Sequence, residues 1–89
     1  MVFTWNATKR RINRHKHGLD FADAEQVFAG PTLTHEDPRV DYDEQRFNST
    51  GLLGAQAVVI THTETEDTIH VISMREAQPH EIKEFFSYL

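Results

Sequence analysis

Val2, Phe3, Thr4 and Trp5 alternate in side, a period of two that predicts a short strand at the start of the chain. Asn6 then stands where a helix cap would, ahead of a helix from Ala7 to about Lys16, and Gly18 sits where a left-handed residue would end it. Only Ala7 and Ile12 are apolar in that helix, so it must be held by its neighbours. LDFADAEQVFAGP predicts a second helix, capped by Asp20 and stopped by Gly30-Pro31, with Asp23 and Glu25 near its positive end. Phe21, Ala24, Val27 and Phe28 form its apolar face. Residues 31–44 mix turn formers and acids, which predicts a short edge strand around Leu33 and then a solvated loop. Three strands follow, at about 45–51, 55–63 and 68–75, the middle one apolar on both faces through Val58, Val59 and Ile60, as a central strand would be. Pro79 opens a last helix whose Ile82, Phe85, Phe86 and Leu89 make an apolar stripe. The pattern predicts an α+β domain of order β-α-α-(β)-β-β-β-α, an antiparallel sheet packed by helices.

Length limits this to a single domain over residues 1–89, because a second would be too small to bury its own core. The absence of cysteine removes disulfides, thiolate metal sites and cysteine nucleophiles, and fits a reducing cytoplasm. No window is long and apolar enough for a membrane span and no signal core opens the chain, so a cytoplasmic location without membrane contact is expected.

Charge is unevenly placed along the chain. The formal net charge is −5, yet Lys9, Arg10, Arg11, Arg14 and Lys16 are five of the nine Lys and Arg residues, and no Asp or Glu precedes Asp20. Positive charge gathered in this way suggests a local site for anions on an otherwise acidic molecule.

Six histidines add candidate chemistry: His15, His17, His35, His62, His70 and His80. His15 and His17 are two apart and point about 200° from each other on a helix, and no HExxH-type spacing occurs, so neither a metal nor another cofactor is expected. For His17 the simpler role is to complement the dipole at its helix end. Period two along TIHVISMR puts Ile69, Val71, Ser73 and Arg75 on one face and His70, Ile72 and Met74 on the other, which separates His70 from Arg75 unless a bulge intervenes. Taken alone, Arg46 and Arg75 read as surface cations whose stems cover apolar area or that pair with a nearby carboxylate. Taken together, Lys, Arg and His without a nucleophile pair are suited to phosphate, since guanidinium grips phosphate oxygens in a fork and imidazole exchanges protons near neutral pH.

The residues F3-x-W5-N6-x-x-K9-x-x-x-N13-x-x-K16-H17-G18-L19-x-F21-x-x-A24-x-x-V27-F28, then R46-F47, H62-T63-E64, I69-H70-V71-I72-S73-M74-R75-x-A77 and E81, resemble the BrnT family of bacterial toxins over nearly the whole chain. The resemblance implies a RelE-like fold and an endoribonuclease that halts translation by cleaving RNA. It further implies a BrnA-like antitoxin with a ribbon-helix-helix domain, through which alone the toxin would meet operator DNA. Three positions depart from the family pattern: Asn6 where Asp is usual, Thr65 where Arg is usual, and His70 where a basic residue is usual.

The expected reaction is metal-independent attack of a ribose 2′-hydroxyl on its adjacent phosphate, which needs proton acceptor, proton donor and cations. His17 is the candidate for proton transfer, with Lys9, Arg46 and Arg75 around the phosphate. Arg10, Arg14, Lys16 and His70 are candidate RNA contacts, and Trp5 is a candidate stacking platform, although a Trp is more often core. Because Thr65 and His70 reduce permanent positive charge, a second reading stands beside it: a weakly active homologue that binds antitoxin and co-represses its operon. A third, residues 9–17 as a DNA-reading helix, lacks the hydrophobic spacing of a helix-turn-helix.

Overall fold

A computed structural model describes residues 1–39 and 44–89. The elements run β1 (Val2–Trp5), α1 (Ala7–His17), a 3₁₀ turn (Phe21–Asp23), α2 (Ala24–Ala29), β2 (Leu33–Glu36), β3 (Phe47–Leu53), β4 (Gln56–Glu64), β5 (Thr68–Glu76) and α3 (Pro79–Tyr88). The expected loop after β2 includes residues 40–43, which lie outside the described residues. No helix among the described residues is long and apolar enough to cross a membrane.

β2 to β5 form an antiparallel meander, but the sheet is mixed, in the order β1-β5-β4-β3-β2, because β1 lies parallel to β5. The expectation of a wholly antiparallel sheet is thereby corrected. Apolar alternation sets which side of a strand is buried, not the direction of its partner. β4 holds the centre, buried from Ala57 to His62.

The helix boundaries follow from local chemistry. Asn6 Oδ1 accepts from Lys9 N at 3.0 Å, and Gly18, at φ 70°, closes α1 with its N–H on Arg14 O. Asp20 caps the next segment by accepting from Ala22 N at 3.0 Å, and the expected single helix divides there into a 3₁₀ turn and a six-residue α2. In α3, Glu81 reaches back to Gln78 N at 2.8 Å.

The two sheet faces have different coverings. On the first, Phe21, Ala24 and Val27 pack on Val58, Ile60, Ile69, Val71 and Met74, with Phe3, Trp5 and Phe28 at the margin. Gly51 is required there: a Cβ would come within 2.7 Å of Val27 Cγ1. On the second, α3 covers one end only, where Ile82 meets Ala57, Val59, Leu52 and Ala77. Phe85 is fully buried, which is worth about 1.5–3 kcal/mol. Phe86 and Leu89, expected in the same stripe, are 54% and 61% exposed, because the helix presents a wider apolar face than this end of the sheet covers. The rest of the second face lies beyond the reach of α3.

Candidate functional site

An irregularity in β5 determines which side chains meet. Thr61 pairs with Ser73 and His62 with Val71, so Ile72 is an extra residue with no partner on β4. The bulge reverses the alternation beyond it. Met74 therefore joins Ile69 and Val71 in the core, while Arg75 turns to the side of His70 and Ser73. The strict period-two expectation, which put Arg75 with Ile69 and Val71, is corrected by this single residue.

The register now arranges the second face in rows. Thr4, His70 and Thr63 lie side by side, and Arg46, one residue before Phe47, continues their row across β3; Asp37 N on Arg46 O at 2.8 Å extends the ladder that far. The middle row is Asn48, Thr61 and Ser73, with Thr61 Oγ1 donating to Asn48 Oδ1 at 2.7 Å. The last row is Thr50, Val59 and Arg75, against α3. Arg46, His70 and Arg75 thus share one face. Four residues of β4 separate the outer rows, so Arg75 stands roughly 13 Å along the strands from His70 and Arg46.

α1 walls this face on one side, for a structural reason. β1 pairs with β5 only as far as Val71, and beyond that point Asn13 takes over the strand edge. Its side chain accepts from Met74 N at 3.2 Å and donates to Met74 O at 3.0 Å and Leu19 O at 3.3 Å. Lys9, Ile12, Asn13, Lys16 and His17 share a helix face by their spacing, and with Ile72 and Ser73 they line a shallow hollow of about 230 Å³. Three of the expected site residues, Lys9, Lys16 and His17, are brought beside the middle row in this way. Among the described residues neither lysine has an ion pair.

Trp5, Arg10 and Arg14 lie apart from that group. The Trp5 ring packs at the margin of the first-face core, and the Arg10 guanidinium lies over it, 5.5 Å from the ring centroid. Arg10 also forks onto Asp20 at 2.7 and 3.0 Å, with Arg14 at 3.9 Å from the same carboxylate. These bonds, with Ala22 N, hold the Asp20 carboxyl down at about 2. The basic segment therefore divides into a paired side and an open one.

Arg75 is itself engaged. Its two terminal nitrogens meet the Glu81 oxygens at 2.7 and 2.8 Å, which holds Glu81 at about 2 and raises Arg75, an effect that burial and, to a smaller extent, nearby Arg39 oppose. Arg39 in turn binds Asp37, at about 2, and Arg46 Nη2 lies 3.6 Å from Glu44. Two departures from the family pattern sit on the same molecule: Thr65 is in the β4–β5 turn, and His70 Nδ1 is 2.8 Å from Thr4 Oγ1. Sequence reasoning missed Asn13, Glu81 and the Asn48–Thr61–Ser73 row. The N13, S73 and E81 letters of the motif signalled part of this, without saying what those residues do, and nothing signalled Asn48 or Thr61.

Among the described residues no group of three or more His, Asp and Glu could hold a metal. A family model described as "Ribonuclease toxin, BrnT, of type II toxin-antitoxin system" matches residues 5–81. No curated protein matches the chain significantly.

Proposed function

Because the chain belongs to the BrnT family of ribonuclease toxins of type II toxin–antitoxin systems, we propose that the part of the second face outside the reach of α3 is its RNA-cleaving surface. One observation carries this reading: the Ile72 bulge sets Arg75 on the same face as His70 and Arg46, beside the hollow lined by Lys9, Lys16 and His17. The scissile phosphate lies over the middle row at Ser73. Lys9 neutralises it, and His17 takes the proton of the attacking 2′-hydroxyl as the O2′–P bond forms and the P–O5′ bond breaks, leaving a 2′,3′-cyclic phosphate; the departing 5′-oxygen takes a proton from water, and the charge developing on the phosphoryl oxygens is stabilised from the α1 side. Arg75 on one side and Arg46 with His70 on the other are one row away, about 7 Å, so they hold the phosphates of adjoining nucleotides. Lys16 extends the track along α1. Arg10, Arg14 and Trp5 brace α1 from the other side.

The chemistry needs no metal, and the fold is RelE-like. The partner is a BrnA-like antitoxin with a ribbon-helix-helix domain, and operator DNA is reached only through it. Cleavage takes place in the cytoplasm.

The test is incubation of purified protein with single-stranded RNA in excess EDTA, alongside His17→Ala, Arg46→Ala and Arg75→Ala. His17→Ala is expected to cleave about 10²–10⁴-fold more slowly, the usual contribution of general acid–base catalysis, whereas Arg46→Ala and Arg75→Ala, which remove contacts to adjoining phosphates, should raise KM more than they lower kcat. Wild-type rates in all three would discard the assignment. RNA left intact by the parent protein at high concentration would favour the weakly active, antitoxin-binding reading, to which the Glu81 grip on Arg75 already lends support.

A further inference from the structure

A larger cavity lies on the other face of the sheet, and RNA cleavage makes no use of it. It is a hollow of about 520 Å³ between α2 and the ends of β1 and β4. Phe3 and Phe28, 5.9 Å apart, and Ile69 form apolar walls, while Glu25 and Glu64 add two carboxylates. His62 lines it from within, 1% exposed, its ring edge-on to Phe28 and stacked on Phe47.

His62 is half satisfied. Its Nε2 is 2.8 Å from Ser49 Oγ, and that hydroxyl is 2.7 Å from Thr34 Oγ1, so one side of the ring is committed to the sheet. Its Nδ1 is buried and has no hydrogen-bond partner among the described residues; Glu64 Oε2 lies beyond bonding range at 3.9 Å. A buried polar atom left in this state has a cost, and the cost is recovered when a donor arrives. Burial pushes the ring's pKa down, with Glu64 and the Thr63 backbone opposing, which favours the neutral ring and leaves Nδ1 an acceptor when Nε2–H donates to Ser49.

What fits is a group with several N–H donors, a positive charge and a flat apolar face. A guanidinium meets all three requirements: it can donate to Glu64 and to His62 Nδ1 together and stack on a phenyl ring. RNA, which is anionic, would be repelled by Glu25 and Glu64. Membership of a type II toxin–antitoxin family means a protein antitoxin. We propose that this cavity is an anchor site for the antitoxin, occupied by one of its arginine side chains with the guanidinium between Phe28, Glu64 and His62. The antitoxin then holds the toxin from the face opposite the RNA surface, and the two surfaces can be altered independently.

The experiment titrates the cognate antitoxin into the purified toxin at fixed salt, comparing Glu25→Lys and Glu64→Lys with Glu66→Lys, an exposed acid of the β4–β5 turn that does not line the cavity. Reversal at Glu64 should weaken binding at least about tenfold, as losing one partner of a hydrogen-bonded charge pair does, with a smaller loss at Glu25. Glu66→Lys should bind as the parent does. The His62 Nδ1 resonance of the parent should move on antitoxin binding to a hydrogen-bonded position. Unchanged affinity in Glu64→Lys, an equal loss in Glu66→Lys, or a stationary Nδ1 resonance would overturn the proposal. No RNA is present, so its failure is separable from failure of the ribonuclease reading.

Discussion

Replacing Asn13 by Ala tests the link between the fold and the RNA face, because one buried amide fastens α1 to the open edge of β5. The substitution strands Met74 N and Met74 O, which Asn13 meets at 3.2 and 3.0 Å, and removes a longer bond to Leu19 O. An unsatisfied buried group costs about 1–3 kcal/mol, so two backbone groups, partly rehydrated through the space left by the amide, should cost about 3 kcal/mol. That is a large share of the roughly 4–13 kcal/mol expected for a chain of this size. Urea unfolding followed by circular dichroism should show a lower midpoint with an unchanged slope. Asn13→Asp sharpens the test. Its carboxylate can still accept from Met74 N, but it faces Met74 O and Leu19 O without a donor, so its deficit relative to the parent should shrink as acid protonates it. A loss under about 1 kcal/mol in the Ala variant, or an Asp variant as stable as the parent at pH 7, would refute this account of how α1 is held.

Gly51→Ala should destabilise by about 1–3 kcal/mol, since its Cβ would lie 2.7 Å from Val27 Cγ1 and 3.1 Å from Thr32 Cγ2; thermal melting checks it. His62 is lowered in the fold by burial, so below the ordinary histidine range the unfolded chain binds a proton that the folded chain refuses. Stability should therefore fall as pH drops below about 6.5, and His62→Phe should flatten that slope in denaturant titrations. Glu81, held at about 2 against an ordinary 4.5, contributes stability that is complete above pH 4.5 and is lost as pH falls to about 2. Glu81→Gln should thus be less stable at neutral pH, with the gap closing across that window. For RNA binding, Lys9→Ala and Lys16→Ala should each reduce the slope of log affinity against log salt by about 0.7, whereas Arg10→Ala, whose charge is already met by Asp20, should leave it nearly unchanged in a filter-binding series.

The fold was largely legible because its signals are local. Asn6, Gly18, Asp20 and Pro79 act within a few residues of themselves, and the apolar faces of α2 and β4 follow from period alone. The parallel pairing of β1 was hidden because it joins Val2–Trp5 to residues more than sixty positions later. The bulge at Ile72 was hidden for another reason: an inserted residue leaves the composition of TIHVISMR unchanged and alters only its phase. The candidate site was legible as a cationic class of residues and not as an arrangement. Which of Lys9, Arg10, Arg14 and Lys16 face the sheet surface depends on Asn13, a residue whose side-chain amide matches a backbone edge only once β5 is in place.

That arrangement bears on how an acidic chain can serve as an RNA-directed toxin. A uniform positive surface would bind any polyanion, whereas here the cations are sorted. Asp20 neutralises the side of α1 that braces Trp5, and Glu81 holds Arg75 until something competes for it. Lys9 and Lys16 lie on the hollow beside Ser73, without ion pairs among the described residues. Competition for Arg75 is an exchange of one oxyanion for another, and it costs little in Coulomb energy if a phosphate takes the place of the carboxylate in the same fork. The cost falls on α3, whose first turn uses the same Glu81 to bond Gln78 N. In the proposed reading, RNA engaging Arg75 competes for the carboxylate that also bonds Gln78 N in the first turn of α3, so the two contacts draw on one side chain.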